Sequence, residues 1–128
     1  MSAPKISIIT VVFNGQDHIG RTIESVIGQS YKDLEYIIVD GKSTDSTLEV
    51  IGGYEGIDQL ISEPDSGLYD AMNKGLKMAT GSYVWFLNSG DQVYESDTVE
   101  LLVAGEKRKR ILDEASLGRK ARRSRMKR

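Results

Sequence analysis

Three apolar runs rich in β-branched or aromatic residues, each halted by polar residues, constrain this chain most. Lys5 to Phe13 contains Ile6, Ile8, Ile9, Val11 and Val12 and stops at Asn14-Gly15; Leu34 to Val39 stops at Asp40; Tyr83 to Leu87 stops at Asn88-Ser89-Gly90-Asp91. Runs this apolar are strands covered on both faces, since a strand with one wet face would alternate. Between them lie segments of helical periodicity. Asp17 is expected to cap a helix with Ile19, Ile23, Val26 and Ile27 on one face, fading near Gly28. Thr44 or Asp45 is expected to start a second helix, with Leu48 and Ile51 inward and Gly52-Gly53 as its stop. Gln59 to Ser62 reads as a short strand. Ser66 is expected to cap a third helix with Leu68, Met72, Leu76 and Ala79 on its inner face, stopped by Gly81. The order β-α-β-α-β-α-β predicts an α/β fold of three layers, α/β/α, around a mainly parallel sheet with Lys5 to Phe13 central.

The 128 residues suffice for one domain and one modest core. Charge divides the chain. Residues 1–105 hold 6 Lys and Arg against 16 Asp and Glu, whereas residues 106–128 hold 11 against 3. The body is therefore read as the folded domain and 106–128 as a basic C-terminal tail, helical or disordered. The acidic body argues against nucleic acid as a ligand; the tail can attract anionic lipid or the body itself. No cysteine is present, so packing rather than disulfides must hold the fold. The opening MSAPK lacks the regions of a secretory signal and no apolar run is long enough to span a bilayer, so the expected location is cytoplasmic, with peripheral contact at the inner membrane surface through the tail.

In a parallel sheet, functional groups gather beyond the carboxyl ends of the strands. Asn14, Asp40 and Asp91 each stand just beyond such an end. Phe13 serves as core or as a stacking surface; Asn14-Gly15 is a turn or a ligand contact. The carboxylate of Asp40 can meet donors on a base or ribose, while Ser43, Thr44 and Asp45 read as helix caps. Asp65, Ser66 and Gly67 precede a helix whose free amides can help hold an anion. Asp91 offers hard oxygen ligands to a divalent cation, and taken alone is an ordinary turn residue. Lys74 reads as a solvated surface residue. His18, the single histidine, has no second histidine or cysteine to complete a transition-metal cluster and reads as a surface residue.

The string Gly67 to Gly75, GLYDAMNKG, with Asp40-Gly41-Lys42-Ser43-Thr44-Asp45 before it and a strand ending in an acidic turn after it, resembles the nucleotide-sugar glycosyltransferases of family 2. The resemblance covers about residues 4–105. It implies the GT-A (Rossmann-like) fold and donor-nucleotide contacts at Phe13, Asn14, Asp40, Asp65, Asp70 and Asn73. It also implies a divalent metal, Mn2+ or Mg2+, at Asp91. Two departures stand out. Gly41 replaces the family's frequent second acid, and of the variable D-x-D element only the last acid is present, since Ser89 and Gly90 occupy the earlier positions.

The activity so implied is inverting, metal-dependent transfer of a sugar from a nucleotide-diphosphate donor, a uridine one, to a glycan or polysaccharide acceptor. Such transfer needs a general base for the acceptor hydroxyl. Asp113 and Glu114, in RILDEASLGRK, do not resemble the family's base motif, so no catalytic base is assigned and the fold is expected to be truncated after the metal-binding turn. A non-catalytic nucleotide-sugar-binding or assembly module is the alternative. With no further strand following, the edge of Tyr83 to Leu87 is expected to drive self-association or to be buried by the tail.

Overall fold

The computed structural model describes residues 3–105. Strands β1 (Ile6–Val12), β2 (Leu34–Asp40), β3 (Gln59–Ser62) and β4 (Tyr83–Phe86) form one sheet in the order β3-β2-β1-β4, every pair parallel. Ile6 faces Leu34 and Val12 faces Asp40, so the two seven-residue strands end together. The four-residue strands lie at the edges. After β1 the sheet grows through β2 to β3, and β4 then returns to the other side of β1. That reversal leaves a crevice beyond the carboxyl ends, the usual place for a ligand in such sheets.

Helices cover both faces, completing three layers. Ile6, Ile8 and Val12 of β1, with Tyr36 and Ile38 of β2, pack against Ile19, Ile23 and Val26 of α1 (Ile19–Ile27) and Ile51 of α2 (Thr47–Gly52). Ile9, Val11, Ile37 and Val39 point the other way, against Ala71 and Met72 of α3 (Leu68–Met78). The alternation follows from the two-residue period of a strand. Beyond β4, Leu87, Val93, Val99 and Val103 join the α1 side, the last two from a helical segment over 98–105.

The strands lie where the β-branched runs predict, but the helix faces and caps differ. Asp17 does not cap α1: the carbonyl of Gly15 accepts the amides of His18 and Ile19, so the helix begins at Ile19 with His18 at its N-cap. Ile27 is exposed and Thr22 is buried in its place. In α2, Leu48 is exposed and the inward pair is Thr47 and Ile51, one turn apart. In α3, Leu68 and Leu76 are exposed and the buried residues are Ala71 and Gly75. A Cβ on Gly75 would lie 2.5 Å from Ile9 Cγ2, so the helix sits close enough to the sheet that only small residues fit beneath it. Ser66 makes no cap either; Gly67 holds the N-cap position of α3. Of the run Tyr83 to Leu87, expected to be buried, Leu87 is, while the strand Tyr83–Phe86 is half-buried, as an edge strand is. In the helical segment over 98–105, Leu101 and Leu102 are exposed.

At the amino ends of the strands, the buried carboxylate of Glu35 accepts from Ser7 Oγ at 2.7 Å, Thr80 N at 2.9 Å, Thr80 Oγ1 at 3.1 Å and Gln59 Nε2 at 3.1 Å. This ties β1, β2, β3 and the approach to β4 together. Burial pushes the Glu35 carboxyl up, but the hydrogen bonds from Thr80, Ser7 and Gln59 outweigh it and hold the group below its ordinary value. Among the described residues no helix is long and apolar enough to cross a membrane. The tail 106–128, with Asp113 and Glu114, lies outside the described residues.

Candidate functional site

An open cleft of about 480 Å³ occupies the crevice at the carboxyl ends of the strands. Three loops build it. Phe13, Asn14 and Gly15 come from the end of β1, Asp65 and Gly67 from the loop before α3, and Asn88 and Ser89 from the turn after β4; His18 and Ala71 line it from the helices.

The first two strand ends are laced together by side chains. Asp40 is fully buried, and its Oδ2 accepts from Lys42 N at 3.0 Å, Ser43 N at 2.9 Å and Ser62 Oγ at 2.8 Å, while Oδ1 accepts from Ser43 Oγ at 2.6 Å. The carboxylate expected to meet a nucleoside thus organises its own loop. Asn14 adopts φ 52°, a left-handed conformation that asparagine tolerates better than most residues. Its Oδ1 accepts from Thr44 N at 2.8 Å and Asp45 N at 3.3 Å, and its backbone amide donates to Ser43 Oγ at 2.7 Å. Asp45, in turn, accepts at Oδ1 from Thr47 N at 2.9 Å and at Oδ2 from Gln16 N at 3.3 Å. Of the three expected helix caps, Asp45 supports the start of α2, whereas Ser43 and Thr44 bind Asp40 and Asn14.

Phe13, Gly41 and Asp65 meet at the cleft wall. Phe13 is 62% exposed although it directly follows the buried Val11 and Val12, so its ring is not spent on packing. A Cβ on Gly41 would come within 2.8 Å of Asp65 Oδ2 and 3.5 Å of Phe13 Cδ1. The aromatic ring and the carboxylate therefore share one surface over a residue without a side chain. The Asp65 carboxylate thus takes the space that a side chain at position 41 would need.

The third loop is held by α1. Thr22 Oγ1 donates to the carbonyl of Asp91 at 2.7 Å and accepts from Gly90 N at 2.9 Å. Gly15 closes the gap between first and third loops, since a Cβ there would stand 2.9 Å from Ser89 Oγ. That hydroxyl is buried and has no hydrogen-bond partner. Asp91 itself is not among the residues lining the cleft, although its turn is. No group of three His, Cys, Asp or Glu side chains among the described residues is arranged to hold a metal.

Of the expected site residues, then, Phe13, Asn14 and Asp65 come together in the cleft, Asp40 lies buried, and Asp70 and Asn73 lie on α3 outside the lining. Asp70 Oδ2 accepts from Ser66 N at 2.9 Å; that bond and Lys74 hold its carboxyl below its ordinary value. Lys74, expected to be merely solvated, pairs with Glu63 at 3.1 Å and donates to the carbonyl of Pro64 at 2.7 Å, clasping the loop that carries Asp65. His18 and Ser89 are cleft residues that no sequence signal marked. The sign available was that His18 stands one helical turn before Thr22, the residue that receives the third loop.

Residues 7–110 match the family model for glycosyl transferase family 2. An uncharacterised glycosyltransferase of Mycobacterium tuberculosis is 44% identical over 100 residues, which are 77% of this chain and 38% of that protein. A PGL/p-HBAD biosynthesis glycosyltransferase of Mycobacterium bovis is 37% identical over 108 residues, 81% of this chain and 42% of its own. The chain thus spans about two fifths of the length of these curated relatives. Residues 1–349 of S. aureus TarS, solved with UDP-GlcNAc, superpose with a TM-score of 0.75 at 25% identity over 81% of this chain and 31% of that one.

Proposed function

The chain belongs to glycosyl transferase family 2, and from that membership we propose that its cleft holds the nucleoside diphosphate of a nucleotide-sugar donor, a UDP-sugar, for transfer to a glycan or polysaccharide acceptor with inversion. The observation that carries this reading is the exposed Phe13 ring beside the Asp65 carboxylate over bare Gly41. A ring can stack on a pyrimidine face, and a neighbouring carboxylate can accept from a base N–H or a ribose hydroxyl. TarS, of like fold, was solved with UDP-GlcNAc, which supports the donor class.

Roles follow from geometry. Phe13 stacks on the base and Asp65 accepts from the nucleoside. Asn14 and Asp40 are positioning residues, because their acceptor atoms already hold the loop from Gly41 to Asp45. Asp70 fixes Ser66 N beside Asp65, and Asn73 faces solvent one turn further on. Asp91 would hold a divalent cation, Mn2+ or Mg2+, which when bound neutralises charge on the leaving diphosphate. A single carboxylate fits such an ion, because these cations take most remaining ligands from phosphate and water. No described residue is assigned as general base. The outer edge of β4, which pairs with no strand among the described residues, favours self-association, with Tyr94 and Leu101 exposed beyond it, and the basic tail favours peripheral membrane contact.

Calorimetric titration of the 128-residue chain with UDP and UDP-sugars, with and without Mn2+, tests the reading. Phe13→Ala should weaken UDP binding by about 1–3 kcal/mol, the usual worth of one base stacked on an aromatic ring. Asp91→Ala should remove only the Mn2+-dependent increment. Failure of UDP to bind the unaltered chain refutes the reading, and an intact Mn2+ increment in Asp91→Ala removes that residue's role.

A further inference from the structure

The cleft has two chemically different ends. Phe13 and Asp65 lie over Gly41, at the end of β2, whereas Asn88 and Ser89 follow β4; β1 runs between, so the ends stand about 10 Å apart, two strand spacings. The β2 end carries the carboxylate. At the β4 end no carboxylate lines the cleft, and each side chain there can donate: the imidazole of His18, the carboxamide of Asn88 and the hydroxyl of Ser89. No Lys or Arg is among the described residues that line the cleft. An anion placed there has these three side chains to meet it.

His18 is held in that position. Thr22, on the same face of α1 one turn later, is bonded to both Gly90 and Asp91, and the His18 Cβ stands 3.9 Å from where a Cβ on Gly90 would be. Gly90 itself adopts φ 101°, a left-handed conformation that favours glycine, and this turns the chain past His18. His18 holds the N-cap position of α1 yet makes no side-chain cap hydrogen bond, so its ring is not committed to the helix. An imidazole keeps an N–H donor whether neutral or charged. Ser89 Oγ is buried and unpartnered, and a hydroxyl so placed is destabilising until something accepts from it.

We propose that His18 and Ser89 bind the diphosphate of the donor directly, donating hydrogen bonds to its oxygens, so that this chain recognises phosphate through side-chain donors as well as through any cation at Asp91. This rests on the nucleotide-sugar reading above. It assigns a phosphate contact to the N-cap of α1, and it gives the orphaned Ser89 hydroxyl a partner.

The test is calorimetric titration of the full chain, His18→Ala, His18→Gln and Ser89→Ala with uridine and with UDP, in EDTA to remove any metal's share. The unaltered chain should bind UDP more tightly than uridine. His18→Ala should lose about tenfold in UDP affinity, the worth of one hydrogen bond to a charged group, with uridine affinity unchanged. His18→Gln, which keeps a donor, should recover part of that loss. Ser89→Ala should also weaken UDP selectively while its thermal midpoint stays level or rises, because the hydroxyl has no partner to lose. Equal losses for uridine and UDP would mean a structural role and overturn the assignment. Unchanged UDP affinity in both alanine variants, with uridine still bound, overturns it and leaves the nucleotide reading standing. If neither ligand binds the unaltered chain, both fall.

Discussion

Gly75→Ala sets helix propensity against packing, and the two differ in sign. In an open helix position the change stabilises by about 1 kcal/mol. Here the added Cβ would lie 2.5 Å from Ile9 Cγ2, 3.2 Å from Ile9 Cδ1 and 3.4 Å from Val39 Cγ2. Carbon contacts relax at about 3.5–4.0 Å, so the closest overlap is at least about 1 Å. Ile9 is β-branched, wholly buried and flanked by Ile37 of β2 and Phe86 of β4, which leaves it little room to turn. Relief therefore requires α3 to lift from the sheet. Overpacking of this kind costs up to about 3 kcal/mol, and less the propensity gain the expected net loss is about 2 kcal/mol. In urea the midpoint should fall by about 1 M with an unchanged slope. Gly52→Ala serves as the control, since a Cβ there meets nothing within 4 Å, and it should leave the midpoint level or raise it slightly. A Gly75→Ala midpoint equal to or above that of the unaltered chain would refute the close packing of α3 on β1.

Two further predictions concern buried carboxylates. The folded-state value of Glu35 is depressed, so the stability it contributes is present above its unfolded value, about 4.3, and is lost as pH falls through the lower folded one. Urea midpoints measured down from pH 5 should decline less steeply in Glu35→Gln than in the unaltered chain, and parallel declines would dismiss the network's role. Asp40→Ala strands the Ser62 hydroxyl and the amides of Lys42 and Ser43, and should cost about 2–4 kcal/mol in urea melts. A loss below about 1 kcal/mol would show that the loop holds without it.

The strands were legible because Ile6 to Val12, broken only by Ser7 and Thr10, and Ile37 to Val39 are β-branched and apolar on both faces, as strands buried in a parallel sheet are. The helix faces were less so. Size and hydrophobicity favour Leu48, Leu68 and Leu76 as inward residues, yet Thr47, Ala71 and Gly75 lie inside, because close approach to the sheet selects small volume over apolar area. At the site, the loops bearing Asn14, Asp40 and the Asn88–Asp91 turn could be named from their places after strands. Their division of labour could not: an acid that binds a ligand and one that binds its own loop look alike in sequence, and only the four hydrogen bonds to Asp40 separate them. His18 read only as a surface residue and Ser89 only as the occupant of an acid's position, because their meaning lies in what they face.

Thr22 grips the backbone on both sides of one peptide unit, at Gly90 N and Asp91 O, from inside a helix that is itself packed on the sheet. The turn cannot swing outward without shedding both bonds or dragging α1 from the core. Room for a bulkier guest at that end must therefore come from trimming side chains, and a variant library confined to Asn88 and Ser89 would explore the accessible shapes more fully than one that varies the length of the turn.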